Sequence, residues 1–335
     1  MEPEILSLTT DLNHYGGAQK VLMDVHEGLK GKYKAKVMGL VDFKDLHPKY
    51  KIGKNEYVKF INPFYLNNKI LIVHARNIMA VTMVIKRLFF LNTKILYIHH
   101  NVYNSLKSAS FFPKDIISIS GKVTDNLLGY FGLKGRDIKL IYNGIKDECK
   151  GNVVFNYQPK EKIKILYSAR VNGVKRQLEI VDRLKGKLSA HIEIHFAGTG
   201  PDYDALVEKC SGSTNFKALG FVENPLSIIS GYDYLMLYSI QEGLPIALIE
   251  GIMYGKPLLI NDVGGNTEIG VPGKNGILLK DDWESLPQTL NDLTNISEDA
   301  YKEMSENSRK RYETMFTYDR MIMQYQEKIR QMALN

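Results

Sequence analysis

The chain has 335 residues, which suggests two domains at roughly 150 residues each. Its composition, 44% hydrophobic and 24% charged, is ordinary for a globular protein, and no run approaches the roughly 18–20 apolar residues of a membrane span. The net charge of +7 is uneven, with +10 in residues 1–150 and −3 in residues 151–335. The front half therefore suits an anionic surface (membrane lipid, a phosphorylated acceptor or nucleic acid), or it is a Lys-rich solvated face.

The start, Met-Glu-Pro-Glu, lacks the basic segment and apolar core of a cleaved leader. Residues 4–9 read as a short buried strand. Tyr15-Gly16-Gly17-Ala18-Gln19 follows, and a helix runs from Ala18 to about Lys30 with Val21, Leu22, Val25 and Leu29 on one stripe. This is strand, glycine turn, helix, without the dinucleotide GxGxxG pattern. Strands are expected at 36–41, 57–61, 70–74, 94–99, 115–120 and 138–142, with helices at 78–91 and 122–131 between them. Alternation of this kind predicts a parallel sheet with helices on both faces. The helix at 78–91 carries Lys86-Arg87 before Leu88-Phe89-Phe90. It reads either as a core-packing helix with a basic tip or as a segment that dips into a membrane interface. His99-His100 closes an apolar strand at the sheet edge where ligands gather.

Residues 146–162 are polar and irregular and read as the interdomain linker. The alternation then repeats, with strands at 164–169, 191–197, 216–220, 233–238, 258–261 and 277–279. Helices are expected at 175–185, 201–210, 225–230 and 245–254, then a long polar helical pair over 283–312 and a last helix at 318–332. Cys149 and Cys210 are far apart and have no metal-ligand spacing, so they read as free thiols in a reducing compartment. Asp202-Tyr203-Asp204 opens a helix, where carboxylates meet the helix dipole.

Four loops at strand ends of the second half carry candidate chemistry. The first holds Arg170, Lys175 and Arg176, three cations within seven residues, which suit a diphosphate. The second is Gly198-Thr199-Gly200-Pro201, and another is Gly264-Gly265-Asn266 with Glu268. The fourth is Glu242-Gly243-Leu244-Pro245, which leads into a helix bearing Glu250 and stopped by Gly255. A helix N-terminus attracts phosphate, and carboxylates suit hydroxyls, so Glu242 and Glu250 fit a nucleoside diphosphate with hydroxyl-rich ends.

Together these motifs resemble the retaining glycosyltransferases of family 4. Glu242 and Glu250 resemble that family's paired glutamates, with the Gly and Pro between them. Gly16-Gly17 resembles its N-terminal glycine loop, with Gln19 where Glu often stands. Arg170 and Lys175 resemble its diphosphate cations. Asn143-Gly144-Ile145 and Gly198–Pro201 also fit, and His99 resembles the strand-end histidine near the transferred sugar, with His100 the alternative. The resemblance implies the α/β GT-B fold, two Rossmann-like domains with parallel sheets facing a central cleft. The acceptor domain would span 1–150 and the nucleotide-sugar domain 151–315, with a helix at 316–335 packing back on the first.

It implies catalytic roles for Glu242, Arg170, Lys175 and His99. The donor would be held by Gly16, Gly17, Arg170, Lys175, Gly198, Gly200, Glu242, Gly243, Leu244, Pro245 and Glu250. The implied reaction moves a hexosyl unit, from a UDP-sugar in preference to GDP or ADP, to a glycan or lipid-linked acceptor in bacterial lipopolysaccharide, O-antigen or capsule synthesis. It uses no cofactor, no metal and no nucleic acid, and it sits in the cytoplasm, peripheral on the inner face of the plasma membrane through the N-terminal domain. Alternatives are a nucleotide-sugar epimerase or a phosphorylase of the same fold, or a non-enzymatic basic membrane or nucleic-acid adaptor.

Overall fold

The computed structural model describes residues 3–108, 110–149 and 162–334; most of the expected linker, residues 150–161, lies outside them. The chain forms two compact units. One runs to Gly144 and resumes at Tyr318, and the other is Ile145–Thr317.

The first unit contains β1 (Ile5–Leu8), α1 (Gly17–Lys30), β2 (Ala35–Gly39), β3 (Tyr57–Lys59), β4 (Ile70–Val73), α2 (Arg76–Leu88), β5 (Lys94–His99), β6 (Asp115–Ser118), α3 (Gly121–Leu128) and β7 (Asp137–Leu140). All neighbouring strands are parallel, in the order β3-β2-β1-β4-β5-β6-β7. Every residue of β1 and β4 is buried. That is why both read as unbroken apolar runs: a parallel sheet is covered on both faces. In α1 the stripe of Val21, Leu22, Val25 and Leu29 is buried as the 3.6-residue period requires.

The second unit contains β8 (Ile163–Ser168), α4 (Gln177–Leu184), β9 (Ile192–Ala197), α5 (Tyr203–Cys210), β10 (Phe216–Gly220), α6 (Leu226–Ile229), β11 (Tyr234–Leu237), α7 (Ile246–Met253), β12 (Leu258–Ile260), α8 (Asn266–Ile269), β13 (Gly276–Leu278), α9 (Leu286–Asn291) and α10 (Glu298–Met315). Its sheet is also parallel, ordered β10-β9-β8-β11-β12-β13. In both sheets the strand order reverses beside the first strand of the unit. The α/β class with two parallel sheets is thus the one the alternation predicted.

The chain then returns to the first unit as α11 (Tyr318–Leu334). This helix packs along α1: Tyr318 Oη donates to the Asp24 carbonyl at 3.2 Å, and Gln326 Nε2 donates to the Gly28 carbonyl at 3.2 Å. Buried Lys328 reaches Asp115 and Asp137, each at 2.7 Å.

Several elements differ from expectation. The helix expected from Lys175 starts at Gln177, after a single 3₁₀ turn over Gly173–Lys175, because Arg176 takes a left-handed conformation (φ 57°). Pro245 caps α7 in extended backbone rather than occupying its first turn. Gly255 (φ 66°) ends α7 as predicted: its N–H bonds the Ile252 carbonyl, and the next N–H, of Lys256, bonds that of Gly251. The expected pair over 283–312 is α9, a 3₁₀ turn and α10, which Ser297 caps by accepting from the Ala300 N–H at 3.2 Å. The short α8 was not anticipated. No helix among the described residues is long and apolar enough to cross a membrane.

Candidate functional site

The order of the second sheet reverses between β8 and β11, so the loops leaving these two adjacent strands diverge and leave a crevice at their carboxyl ends. Lys175 comes from the loop after β8, and Glu242 from the loop after β11. Their side chains meet across that crevice, Lys175 Nζ donating to Glu242 Oε1. The Glu242 carboxylate is 7% exposed and the Lys175 side chain 20%, so the pair is partly withdrawn from water and its attraction is little screened.

The backbone around Lys175 is fixed from three sides. Asn172 Oδ1 accepts from its N–H at 3.1 Å, and the buried Tyr167 hydroxyl donates to its carbonyl at 2.7 Å. The same Tyr167 oxygen accepts from the Tyr238 N–H at 3.0 Å, which joins β8 to the end of β11. The Ile240 N–H donates to the Val174 carbonyl at 2.9 Å. Arg170, in the same loop, is exposed and has no ion-pair partner among the described residues. Arg176 points elsewhere. Its guanidinium lies over Trp283 at 4.6 Å and Tyr238 at 4.9 Å, and it pairs with Asp281 at 2.7 Å and Glu179 at 3.0 Å. Of the three cations, Lys175 reaches across the crevice to Glu242, Arg170 is exposed in the same loop, and Arg176 is a structural clamp.

The glycine loops pack against the two loops that carry this pair. A Cβ at Gly198 would stand 2.1 Å from the Ala169 carbonyl oxygen, and one at Gly200 2.1 Å from that of Val171. The loop after β12 is bound to the Glu242 loop through the Gly265 N–H, which donates to the Gly243 carbonyl at 2.7 Å. Asn261, at the end of β12, holds the Ser239 backbone by both its amide oxygen (3.2 Å) and its nitrogen (2.8 Å). Gly243 and Leu244 are buried, and half-buried Glu250 stands in the second turn of α7. The structure therefore gathers Lys175, Glu242, Gly243, Leu244 and Pro245 with the glycine loops at one sheet edge. Sequence reading missed Tyr167, Asn172, Tyr238 and Asn261. Only Asn172, three residues before Lys175 as a capping side chain, carried a local signal.

The remaining candidates lie in the first unit. Gly16 and Gly17 are exposed at the start of α1, and Gly16 is its N-cap. His99 is fully buried, with Nδ1 3.1 Å from the Tyr97 hydroxyl and its ring within 6 Å of Tyr103, Phe112 and Phe131. Burial, and then the neighbouring His100, lowers its pKa to about 3, so it is neutral. His100 keeps an open edge and stacks on His74, with Nε2 3.3 Å from His74 Nδ1. Of the two strand-end histidines, His100 is thus the one a solute can reach. Among the described residues no group of three or more His, Cys, Asp and Glu is placed to hold a metal ion.

Residues 154–311 match the family described as glycosyl transferases group 1. That stretch lies wholly within the second unit, Ile145–Thr317. The matched stretch contains both halves of the Lys175–Glu242 pair. The chain is 27% identical over 186 residues to the capsular polysaccharide biosynthesis glycosyltransferase CapH of Staphylococcus aureus, a match covering 53% of this chain and 45% of that protein. It thus spans about half the length of that relative. It is 24% identical over 274 residues to the O-antigen biosynthesis glycosyltransferase WbnH of Escherichia coli, covering 75% of this chain and 78% of that one. Among solved structures it is similar to Anabaena Alr3699/HepE in complex with UDP, at 16% identity and a TM-score of 0.79, covering 98% of this chain and 100% of that one. Two units, each a parallel sheet with helices, make the GT-B fold.

Proposed function

We propose that the chain is a retaining glycosyltransferase of family 4 that moves a hexosyl unit from a UDP-sugar to a glycan or lipid-linked acceptor in bacterial surface polysaccharide synthesis. The observation that carries this reading is the Lys175–Glu242 pair across the β8/β11 crevice, with exposed Arg170 in the same loop. The capsule and O-antigen relatives support the product class, and the UDP complex of the similar fold supports the donor.

In this reading Arg170 and Lys175 hold the diphosphate, Glu250 takes the ribose hydroxyls and Glu242 the hydroxyls of the sugar. Gly198, Gly200 and the start of α7 let backbone approach the phosphates, and we assign Gly16 and Gly17 a donor-binding role. The bond from the anomeric carbon to the diphosphate oxygen breaks first. The acceptor oxygen then bonds that carbon on the same face, and its proton passes to the leaving diphosphate. Charge grows on the diphosphate as it departs, so two fixed cations stabilise the transition state more than the bound donor. The same cations stand in for a metal, and turnover in the presence of EDTA tests that. Of the two strand-end histidines, we assign the sugar-contacting role to His100, which keeps an open edge. The basic first unit suits an anionic membrane surface, with the chain peripheral on the cytoplasmic face.

A thermal-shift series with UDP, GDP and ADP tests the donor. Stabilisation by UDP alone is the expected result, and stabilisation by none of the three overturns the reading.

A further inference from the structure

Two neighbouring strands at the middle of the first sheet, β4 and β5, end in a histidine pair. In their register Val73 lies opposite Tyr97, so His74 and His100 fall on one face of the sheet and His99 on the other. The His74 N–H donates to the Leu8 carbonyl at 2.9 Å, which ties this strand end to β1. His74 is 6% exposed, and its Nε2 is buried with no hydrogen-bond partner among the described residues. Its Nδ1 lies 3.3 Å from Nε2 of half-buried His100. The rings are 21° from parallel, with centroids 5.5 Å apart. That separation is nearly the distance between the two nitrogens plus the two ring radii. The nitrogens therefore face each other along the line of centres, as a hydrogen bond requires.

Burial lowers the pKa of both residues, so at pH 7 each ring is neutral, with one N–H and one bare nitrogen. One ring must donate and the other accept, and the proton they share decides the tautomer of both. With Nε2 of His100 taken, Nδ1 is the nitrogen left for a solute. We propose that His74 is a positioning residue: it takes Nε2 of His100, fixes the tautomer and orientation of that ring, and so presents Nδ1 in one state to the transferred sugar. A free imidazole exchanges tautomers and turns about its side-chain bonds. A neighbour that removes both freedoms adds preorganisation without touching the ligand. The unpartnered Nε2 of His74 speaks for this role. A side chain needed only for packing would avoid that cost by being apolar. The inference rests on the assignment of His100 to the sugar made above, but the pairing itself is read without any sugar.

The test is the ring-nitrogen magnetic resonance spectrum of the full chain with isotope-labelled histidine, in the parent, His74→Leu and His74→Asn, with His100→Ala to identify the His100 signals. In the parent, His100 should show one protonated and one bare nitrogen. In His74→Leu both signals should move toward the average of the two tautomers. His74→Asn should largely restore them, because its side-chain amide stands where Nδ1 stood. A His74 that only fills space would change the melting temperature and leave these signals alone. With UDP-glucose as donor, His74→Leu should lower kcat roughly five- to ten-fold, and His74→Asn should regain most of it. The same leucine should cost nothing further once His100 is alanine. The proposal is overturned by averaged His100 signals in the parent, by signals that stay fixed in His74→Leu, or by a loss of kcat that persists in full beside His100→Ala. If His74→Leu misfolds, the parent spectrum and His74→Asn carry the test. His100 signals that follow this pattern but do not respond to added UDP-glucose would sink the sugar assignment and leave the pairing standing.

Discussion

A methyl group on Gly264 would stand 2.3 Å from the Glu242 carbonyl oxygen. Gly264 is also left-handed, with a φ of 53°. The loop after β12 therefore sets how far the Glu242 loop projects, although neither is adjacent to the other in sequence. Gly264→Ala has to push Glu242 outward, and a shift of about 1 Å at a positioned group costs on the order of 10²-fold in turnover. We expect that loss in kcat, with folding retained by circular dichroism. Parental kcat in Gly264→Ala would show that the loop does not position Glu242.

Lys175→Ala leaves Glu242 nearly buried and unpaired. Removing one partner of a buried pair costs about 3–5 kcal/mol, and this partly exposed pair should fall at or below the low end. The same change takes a cation from the proposed diphosphate site, so the thermal shift with UDP should vanish. Glu242→Gln keeps an oxygen that accepts from Lys175 and should retain the UDP shift while turnover drops roughly 10²-fold or more. Equal UDP shifts in both variants would contradict the assignment of Lys175 to phosphate and Glu242 to sugar.

Arg176 combines a left-handed backbone with a guanidinium over Trp283 and Tyr238. Arg176→Gly and Arg176→Ala both delete the stacked cation, but only alanine retains the backbone cost. Chemical denaturation should therefore find both variants destabilised, and Arg176→Ala the worse by about 1 kcal/mol. The reverse order would show that side-chain removal relaxes the turn.

Acid should weaken the first unit before the second. Burial lowers the pKa of His26, His74, His99 and His100, to about 3 for His99 and about 4 for His100; repulsion from His100 adds to the shift at His74 and His99. An unfolded chain binds protons at these residues below about pH 6.5, while the folded unit refuses them until far lower pH. Stability is thus fully present above pH 6.5 and is lost as pH falls toward 4, by up to about 1.4 kcal/mol per pH unit for each histidine. In the second unit the buried His195 has Glu193 at 3.1 Å, which partly offsets its burial. The single tryptophan, Trp283, belongs to the second unit. Between pH 7 and 5, far-ultraviolet circular dichroism should therefore decline before tryptophan fluorescence changes. Simultaneous loss would contradict this account, and His99→Phe should flatten the dependence.

Much of this was legible beforehand. Ile70–Val73 and Tyr234–Leu237 are unbroken apolar runs because their sheets are covered on both faces, and a run of that kind survives any tertiary detail. The glycine loops were legible because close backbone contact excludes a Cβ. The division of labour among Arg170, Lys175 and Arg176 was not, because it depends on Trp283 and Asp281, about a hundred residues away, and on one left-handed φ. His99 and His100 are adjacent and chemically alike. Only the facing of β5 decides that one enters an aromatic cage and the other meets His74. Residues 283–312 read as one long polar pair because the short α9 and the 3₁₀ turn after it leave no periodic signature.

The first unit is built from two pieces of chain separated by the whole of the second. Its closing helix supplies Lys328, which pairs with both Asp115 and Asp137, and Ile322, whose nearest side-chain carbons come within 2.5 Å of where a Cβ on Gly28 would be. During synthesis the amino-terminal sheet must therefore wait. A ribosome that has released every strand of it still holds the helix that covers α1, and the second unit can finish folding while the first is open. Order of translation and order of completion are opposite in this protein, and a stop anywhere before Tyr318 leaves the earlier-made unit as the unfinished one.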